Sequence, residues 1–216
     1  MLPLITIIFL SYLAGSIPTS IIMSRLTRGI DIRDYGSGNA GATNAIRVLG
    51  WKIGIIVIIV DVGKGVLATL LISQIGRAQL EQVPLHHNLV QIIAGLSAVL
   101  GHIWTIFAGF KGGKGVGTAA GMLFSLYPLA GFICLLIFGV VLLTIRYVSV
   151  ASMTAAVSLP IVSLILRRFF NYDISSELIY FSIFMAILII FTHRSNIKRL
   201  LKGEENRIKK IAFKKS

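Results

Sequence analysis

The chain has 216 residues, 56% of them hydrophobic and 13% charged, with a mean hydropathy of +0.87. That is more apolar side chain than a soluble domain of this size can bury, so the composition excludes one and points to an all-α, polytopic membrane protein. The net charge of +13 does not call for nucleic acid, and no nucleic-acid partner is expected. Basic residues beside apolar spans are the ordinary mark of the cytoplasmic face and of anionic lipid.

A helix crossing a bilayer needs roughly 20 apolar residues. Such spans are predicted near 2–24, 53–75, 89–108, 116–127, 129–145, 152–167 and 177–192. The first has no basic residues ahead of it and no small-residue cleavage site before a soluble domain, so it reads as a retained span and not a signal peptide. After it comes the stretch Gly36-Ser37-Gly38-Asn39-Ala40-Gly41-Ala42-Thr43-Asn44, then Arg47. Glycines among small hydroxyl and amide groups suit a backbone-rich cradle, and an arginine clamps phosphate through two parallel hydrogen bonds. Thr43 or Asn44 is placed to cap a short helix carrying Arg47. The plain alternative is a flexible connector.

Inside the second span Asp61 and Lys64 lie one turn apart. Charges at bilayer depth are expensive unless paired or facing a polar cavity, so they form an internal pair or a wall of the site. In the connector 76–88, His86-His87 reads as surface decoration and not a metal site. His102, near the end of the third span, is either a packing hydrogen-bonder or part of a site.

The loop FKGGKGVGTAAG, Phe110–Gly121, opens directly between two apolar segments. Gly112, Gly113 and Gly115 let backbone N–H groups approach an anion, Lys111 and Lys114 add charge, and Thr118 offers a hydroxyl near a helix N-terminus. The loop is not a Walker motif, because Gly115 stands where Ser or Thr is required. The apolar run 116–145 breaks at Tyr127-Pro128, since proline lacks an N–H and disfavours helix in the residue before it. Cys134 is the only cysteine and lies in an apolar run, which excludes a disulfide framework and makes a thiol nucleophile improbable.

Arg146–Ser152 is a polar interruption, with Ser149 and Ser152 the candidates for substrate contact. The last span ends in HRSNIKRLLKGE, His193–Glu204, where Ile197, Leu200 and Leu201 repeat at helical spacing and suggest an amphipathic interfacial helix. His193 and Asn196 share one face of it. Residues 1–192 thus form a transmembrane domain holding candidate catalytic groups, and 193–216 a cytoplasmic basic tail carrying the last motif. With seven spans and the N-terminus outside, most of the 21 basic residues fall on the inner side, as the positive-inside rule requires. Merging 116–145 into one span would put the basic tail outside.

GSIPTS (Gly15–Ser20), GSGNAGATNAIR (Gly36–Arg47), DVGKG (Asp61–Gly65), GHIWTIFAGFKGGKGVGT (Gly101–Thr118) and HRSNIKRLLKGEE (His193–Glu205) resemble, in order and spacing, the bacterial acyl-phosphate-dependent glycerol-3-phosphate acyltransferases. These are small inner-membrane enzymes. Thr105 stands where the family usually has proline, and Gly117 where alanine is usual.

The resemblance implies transfer of a fatty acyl group from acyl phosphate to the 1-hydroxyl of glycerol 3-phosphate. Lysophosphatidate and phosphate are the products, in a first acylation step of phospholipid synthesis at the bacterial cytoplasmic membrane. It implies that Ser37, Asn39, Thr43 and Arg47 hold phosphate groups, and that Gly112, Gly113, Lys114, Gly115 and Thr118 form the central loop. Ser149, His193, Asn196 and Glu204 line or order the rest of the pocket, with Lys114, His193 and Ser149 closest to the chemistry. Which cradle holds which phosphate stays open.

No His-x4-Asp pair exists, for Gln91, Ile92, Phe107 and Lys198 stand five positions after the four histidines. That excludes the dyad of thioester-dependent acyltransferases. Direct attack is favoured, with the leaving phosphate accepting the hydroxyl proton. His193 as general base is the second option. No cofactor and no metal are expected, since acidic residues are few and no ligand cluster has suitable spacing. A transporter for a phosphorylated solute is the rival from another class, and a lipid-binding scaffold a third.

Overall fold

The computed structural model describes residues 2–76, 78 and 87–208. His86 and the basic residues 209–215 lie outside the described residues, as does the side chain of His87. Among the described residues the chain forms ten α-helices and no strand. They are α1 (Leu2–Ser16), α2 (Thr19–Arg28), α3 (Ala42–Leu49), α4 (Trp51–Val66), α5 (His87–Ile103), α6 (Val116–Leu126), α7 (Pro128–Ile145), α8 (Val148–Phe169), α9 (Ser176–Thr192) and α10 (Arg194–Leu201).

Five segments are long and apolar enough to cross a bilayer, counting α1 with α2 and α4 with the turns that extend it to Gln74. A sixth is gained if α9 and α10, bent by 58° at His193, count as one. The protein is therefore a multi-pass membrane protein. At 11 residues, α6 reaches about 16 Å, roughly half the hydrocarbon thickness, and does not span by itself. The break before α7 falls at Tyr127, with Pro128 at the first turn of the new helix, as proline chemistry dictates.

The first predicted span is not one helix. It breaks at Ile17-Pro18, and α2 continues to Arg28. Pro18 has no N–H to continue the ladder, and the Ile17 carbonyl at the break accepts from the Thr19 N–H at 3.0 Å and from the Lys64 ammonium at 2.5 Å. Lys64 also pairs with Asp61 at 2.7 Å, and Thr19 Oγ1 donates to Asp61 Oδ1 at 3.2 Å. The buried charges of α4 thus satisfy each other and the broken first span, one of the ways such charges persist at that depth. Pro160, by contrast, lies inside a continuous α8.

α1 packs along α5, α4 along α6, and α7 along α8. Lipid tails are as apolar as leucine, so helices associate here by close approach of small residues. A Cβ on Gly65 would strike the Thr118 carbonyl, and one on Gly121 would strike the Val62 carbonyl. The two glycines therefore let α4 and α6 touch backbone to backbone. Gly15 and Gly101 do the same between α1 and α5.

Candidate active site

Four segments converge at one end of the bundle: the loop before α3, the loop before α6, the α7–α8 turn, and the α9–α10 bend with the residues after α10. Asn44 organises the first. It sits in the opening turn of α3, its amide donating to the Ile32 and Tyr35 carbonyls at 3.2 and 3.0 Å. Its Oδ1 accepts from the Ser37 N–H at 2.9 Å. The residue at the N-cap is Gly41, not Thr43 or Asn44.

Arg33, which the motifs did not single out, ties this loop to the next. It grips Asp31 through two bonds of 2.9 and 2.7 Å and donates to the Ala108 carbonyl at 2.9 Å. The Arg33 guanidinium holds the Asp31 carboxyl well below the usual carboxylate range.

The glycine loop works differently from the expected anion cradle. The Gly112 and Gly113 N–H groups donate to the Ile103 and His102 carbonyls, both at 3.0 Å. A Cβ at either glycine would meet the end of α5. Their smallness seats the loop against that helix end, and their donors are spent there. Gly115 has φ +81° and starts α6, a left-handed position that glycine adopts freely. None of the three lines the cavity described below. Thr118 also turns away: it is buried, with its hydroxyl unpartnered, and its carbonyl faces Gly65 of α4.

What the loop presents is Lys114. Its ammonium bonds Asn196 Oδ1, and its carbonyl accepts from Thr192 Oγ1 at 3.2 Å. Burial lowers the Lys114 pKa to about 8, against the pull of the Glu205 carboxylate, while Arg199 and Arg47 lower it further. Three cations therefore face one corner.

The carboxylate in that corner belongs to Glu205, not Glu204, which is exposed and does not line the cavity. Glu205 Oε1 accepts from Ser149 Oγ at 2.8 Å and from Asn196 Nδ2 at 2.6 Å. Its Oε2 accepts from Arg199 Nε at 2.8 Å. Burial raises the Glu205 pKa, but the bonds from Asn196, Arg199 and Ser149 outweigh it and hold the group ionised. His193 and Asn196 share the buried face at the α9–α10 bend, with His193 Nδ1 at 2.8 Å from the Ile189 carbonyl. That contact makes Nδ1 the donor and leaves Nε2 as the acceptor.

These groups close the polar end of a cavity of about 610 Å³. Ser37, Asn39, Thr43, Arg47, Lys114, Ser149, Ser152, His193, Asn196 and Glu205 all line it, as do Asp61 and His102. The Asp61–Lys64 pair is thus both an internal pair and, through Asp61, a wall of the site. From the polar end an apolar arm runs between α6, α7, α8 and α9, bounded by Phe124, Gly131, Ala155, Leu159, Leu178 and Phe181. Beyond Leu159 and Leu178 the buried Val162, Leu166 and Ile174 fill the space. Among the described residues no group of three or more His, Cys, Asp or Glu is placed to hold a metal.

A cationic, hydrogen-bonding pocket opening into an apolar arm suits a membrane-embedded enzyme that handles an anionic head and a fatty chain together. The glycerol-3-phosphate acyltransferase family model matches residues 5–203, and the chain belongs to that family. It is 46% identical to a glycerol-3-phosphate acyltransferase of Chlorobium phaeobacteroides, over 97% of this chain and 98% of that one. It is 45% identical to another from Chlorobaculum tepidum, over 96% and 97%. Two crystal structures of PlsY, an integral membrane glycerol 3-phosphate acyltransferase, share the fold at 36% identity. Its glycerol 3-phosphate form aligns with TM-score 0.79 over 95% of this chain and 96% of that one. Its lysophosphatidic acid form aligns with TM-score 0.77 over 95% of each.

Proposed function

We propose that the protein transfers a fatty acyl group from acyl phosphate to the 1-hydroxyl of glycerol 3-phosphate, releasing lysophosphatidate and phosphate. The observation that carries this is the form of the cavity: cations and hydrogen-bond donors at the mouth, an apolar arm behind. An acyl chain lies in the arm with its phosphate among the mouth residues, and glycerol phosphate enters from the water side. On a seven-pass reading, in which the short α6 counts as a pass although it covers only about half the hydrocarbon thickness, the mouth faces the cytoplasmic side of the bacterial inner membrane. The basic residues of the loops and tail support this orientation.

In the reaction the glycerol 1-oxygen attacks the acyl carbonyl carbon, the bond from that carbon to the phosphate oxygen breaks, and the departing phosphate takes the hydroxyl proton. Lys114, Arg47 and Arg199 supply positive charge for the carbonyl oxyanion and the leaving group. Ser149 and Asn196 orient the reactants through Glu205, and Ser37, Asn39 and Thr43 furnish neutral donors for the second phosphate. Preorganised charge and proximity are enough when the donor is already activated.

The test is purified protein in detergent with labelled glycerol 3-phosphate and either a long-chain acyl phosphate or the same acyl group as a thioester. One phosphate released per lysophosphatidate formed, with no product from the thioester, is expected. Product from the thioester at an equal rate, or phosphate release that does not depend on glycerol 3-phosphate, would refute it.

A further inference from the structure

We infer that the blind end of the apolar arm, formed by Gly131, Phe124 and Leu178, sets the longest acyl chain the enzyme accepts. This rests on the reading that the arm holds the acyl chain. Three observations carry it. First, the arm has a defined depth: Ser149 at its mouth and Leu159 near its end both lie on α8, about 15 Å apart at 1.5 Å per residue. That is about half the roughly 30 Å hydrocarbon thickness, deep enough to take most of a long acyl chain.

Second, the end is filled and not open. Leu178 is 1% exposed, and Val162, Leu166 and Ile174 are buried around it. A chain one unit too long meets packed side chains that do not yield without strain.

Third, Gly131 lets the Phe124 ring close against the α7 backbone at the end of the arm, where no room is left for a side chain. A Cβ there would lie 3.1 Å from Phe124 Cδ1 and 3.3 Å from Cε1. Any larger residue must fill the end of the arm or push Phe124 into it. Midway, Ala155 and Ala156 line the bore with small side chains.

Gly131→Val and Ala155→Leu therefore shorten the arm, and Leu178→Ala deepens it. The test is displacement of a fluorescent lysophosphatidate from purified protein by a graded series of lysophosphatidates, lauroyl to stearoyl. Acyl transfer from an equimolar mixture of the corresponding donors is read alongside by mass spectrometry. Gly131→Val is expected to weaken stearoyl against lauroyl binding by at least about tenfold, the cost of one or two misplaced methylenes. Ala155→Leu is expected to shift the cutoff further down, and Leu178→Ala to shift it up.

Wild-type protein that binds lysophosphatidate, with a length profile that none of the three variants moves, overturns the inference alone. Wild-type protein that binds no lysophosphatidate of any length overturns both the inference and the acyl-arm reading beneath it. A substitution that unfolds the protein is replaced by its smaller counterpart, Gly131→Ala or Leu178→Val, with the same shift expected in lesser degree.

Discussion

Lys114 works as a cation in a corner that it shares with Arg47, Arg199 and the Glu205 carboxylate. Its pKa of about 8 leaves it mostly charged at neutral pH and neutral above that value. The log of kcat/KM is therefore expected to fall by about one per pH unit above 8, since that parameter reports the free enzyme. Lys114→Arg keeps the charge and is expected to remove this fall. Lys114→Met is expected to cost about 10²–10³-fold in kcat, the usual loss when one preorganised donor is removed. A pH profile of Lys114→Arg that still breaks near 8 would assign the break to another group. His193 separates the two proton routes. If the departing phosphate is the base, His193→Gln loses less than about 10²-fold and keeps the shape of the pH profile. A general base would lose about 10²–10⁴-fold and change that shape.

Among the helices, the buried Asp61–Lys64 pair decides whether the broken first span holds. Asp61→Asn removes the counter-charge of the Lys64 ammonium, and a buried charge stripped of its partner costs about 3–5 kcal/mol. Thermal unfolding in detergent is expected to show that loss, and adding Lys64→Met to Asp61→Asn is expected to recover part of it. No recovery would mean that the pair does not act as a unit.

The same region shows what a sequence can disclose. Apolar runs disclosed the helices, and Pro128 disclosed the break before α7, because length and a missing N–H act locally. Pro18 broke a helix without being read as a break, while Pro160 left α8 whole. At the first the Ile17 carbonyl meets Lys64 of another helix, a contact that no local reading of the sequence foresees. Ser149, His193 and Asn196 were legible because polar residues between apolar runs are rare and costly. Glu205 was not distinguished from Glu204, because no helical period runs through the segment after α10 to say which carboxylate faces inward. The glycine loop was legible by composition but not in its direction, since Gly112 and Gly113 spend their donors on α5.

For the molecule as a whole, the loop-borne polar groups of the cavity converge at one end of the bundle, and both reactants must reach that end. The most direct test is single-cysteine labelling in a Cys134→Ala background with a membrane-impermeant maleimide, on right-side-out and inverted vesicles. Lys111→Cys beside the glycine loop and Lys202→Cys after α10 occupy exposed positions at the mouth, and Asn171→Cys an exposed position at the far end. Lys111→Cys and Lys202→Cys are expected to react only from the cytoplasmic side, and Asn171→Cys only from the other. Modification of Lys111→Cys and Lys202→Cys from opposite sides of the membrane would contradict a single shared pocket.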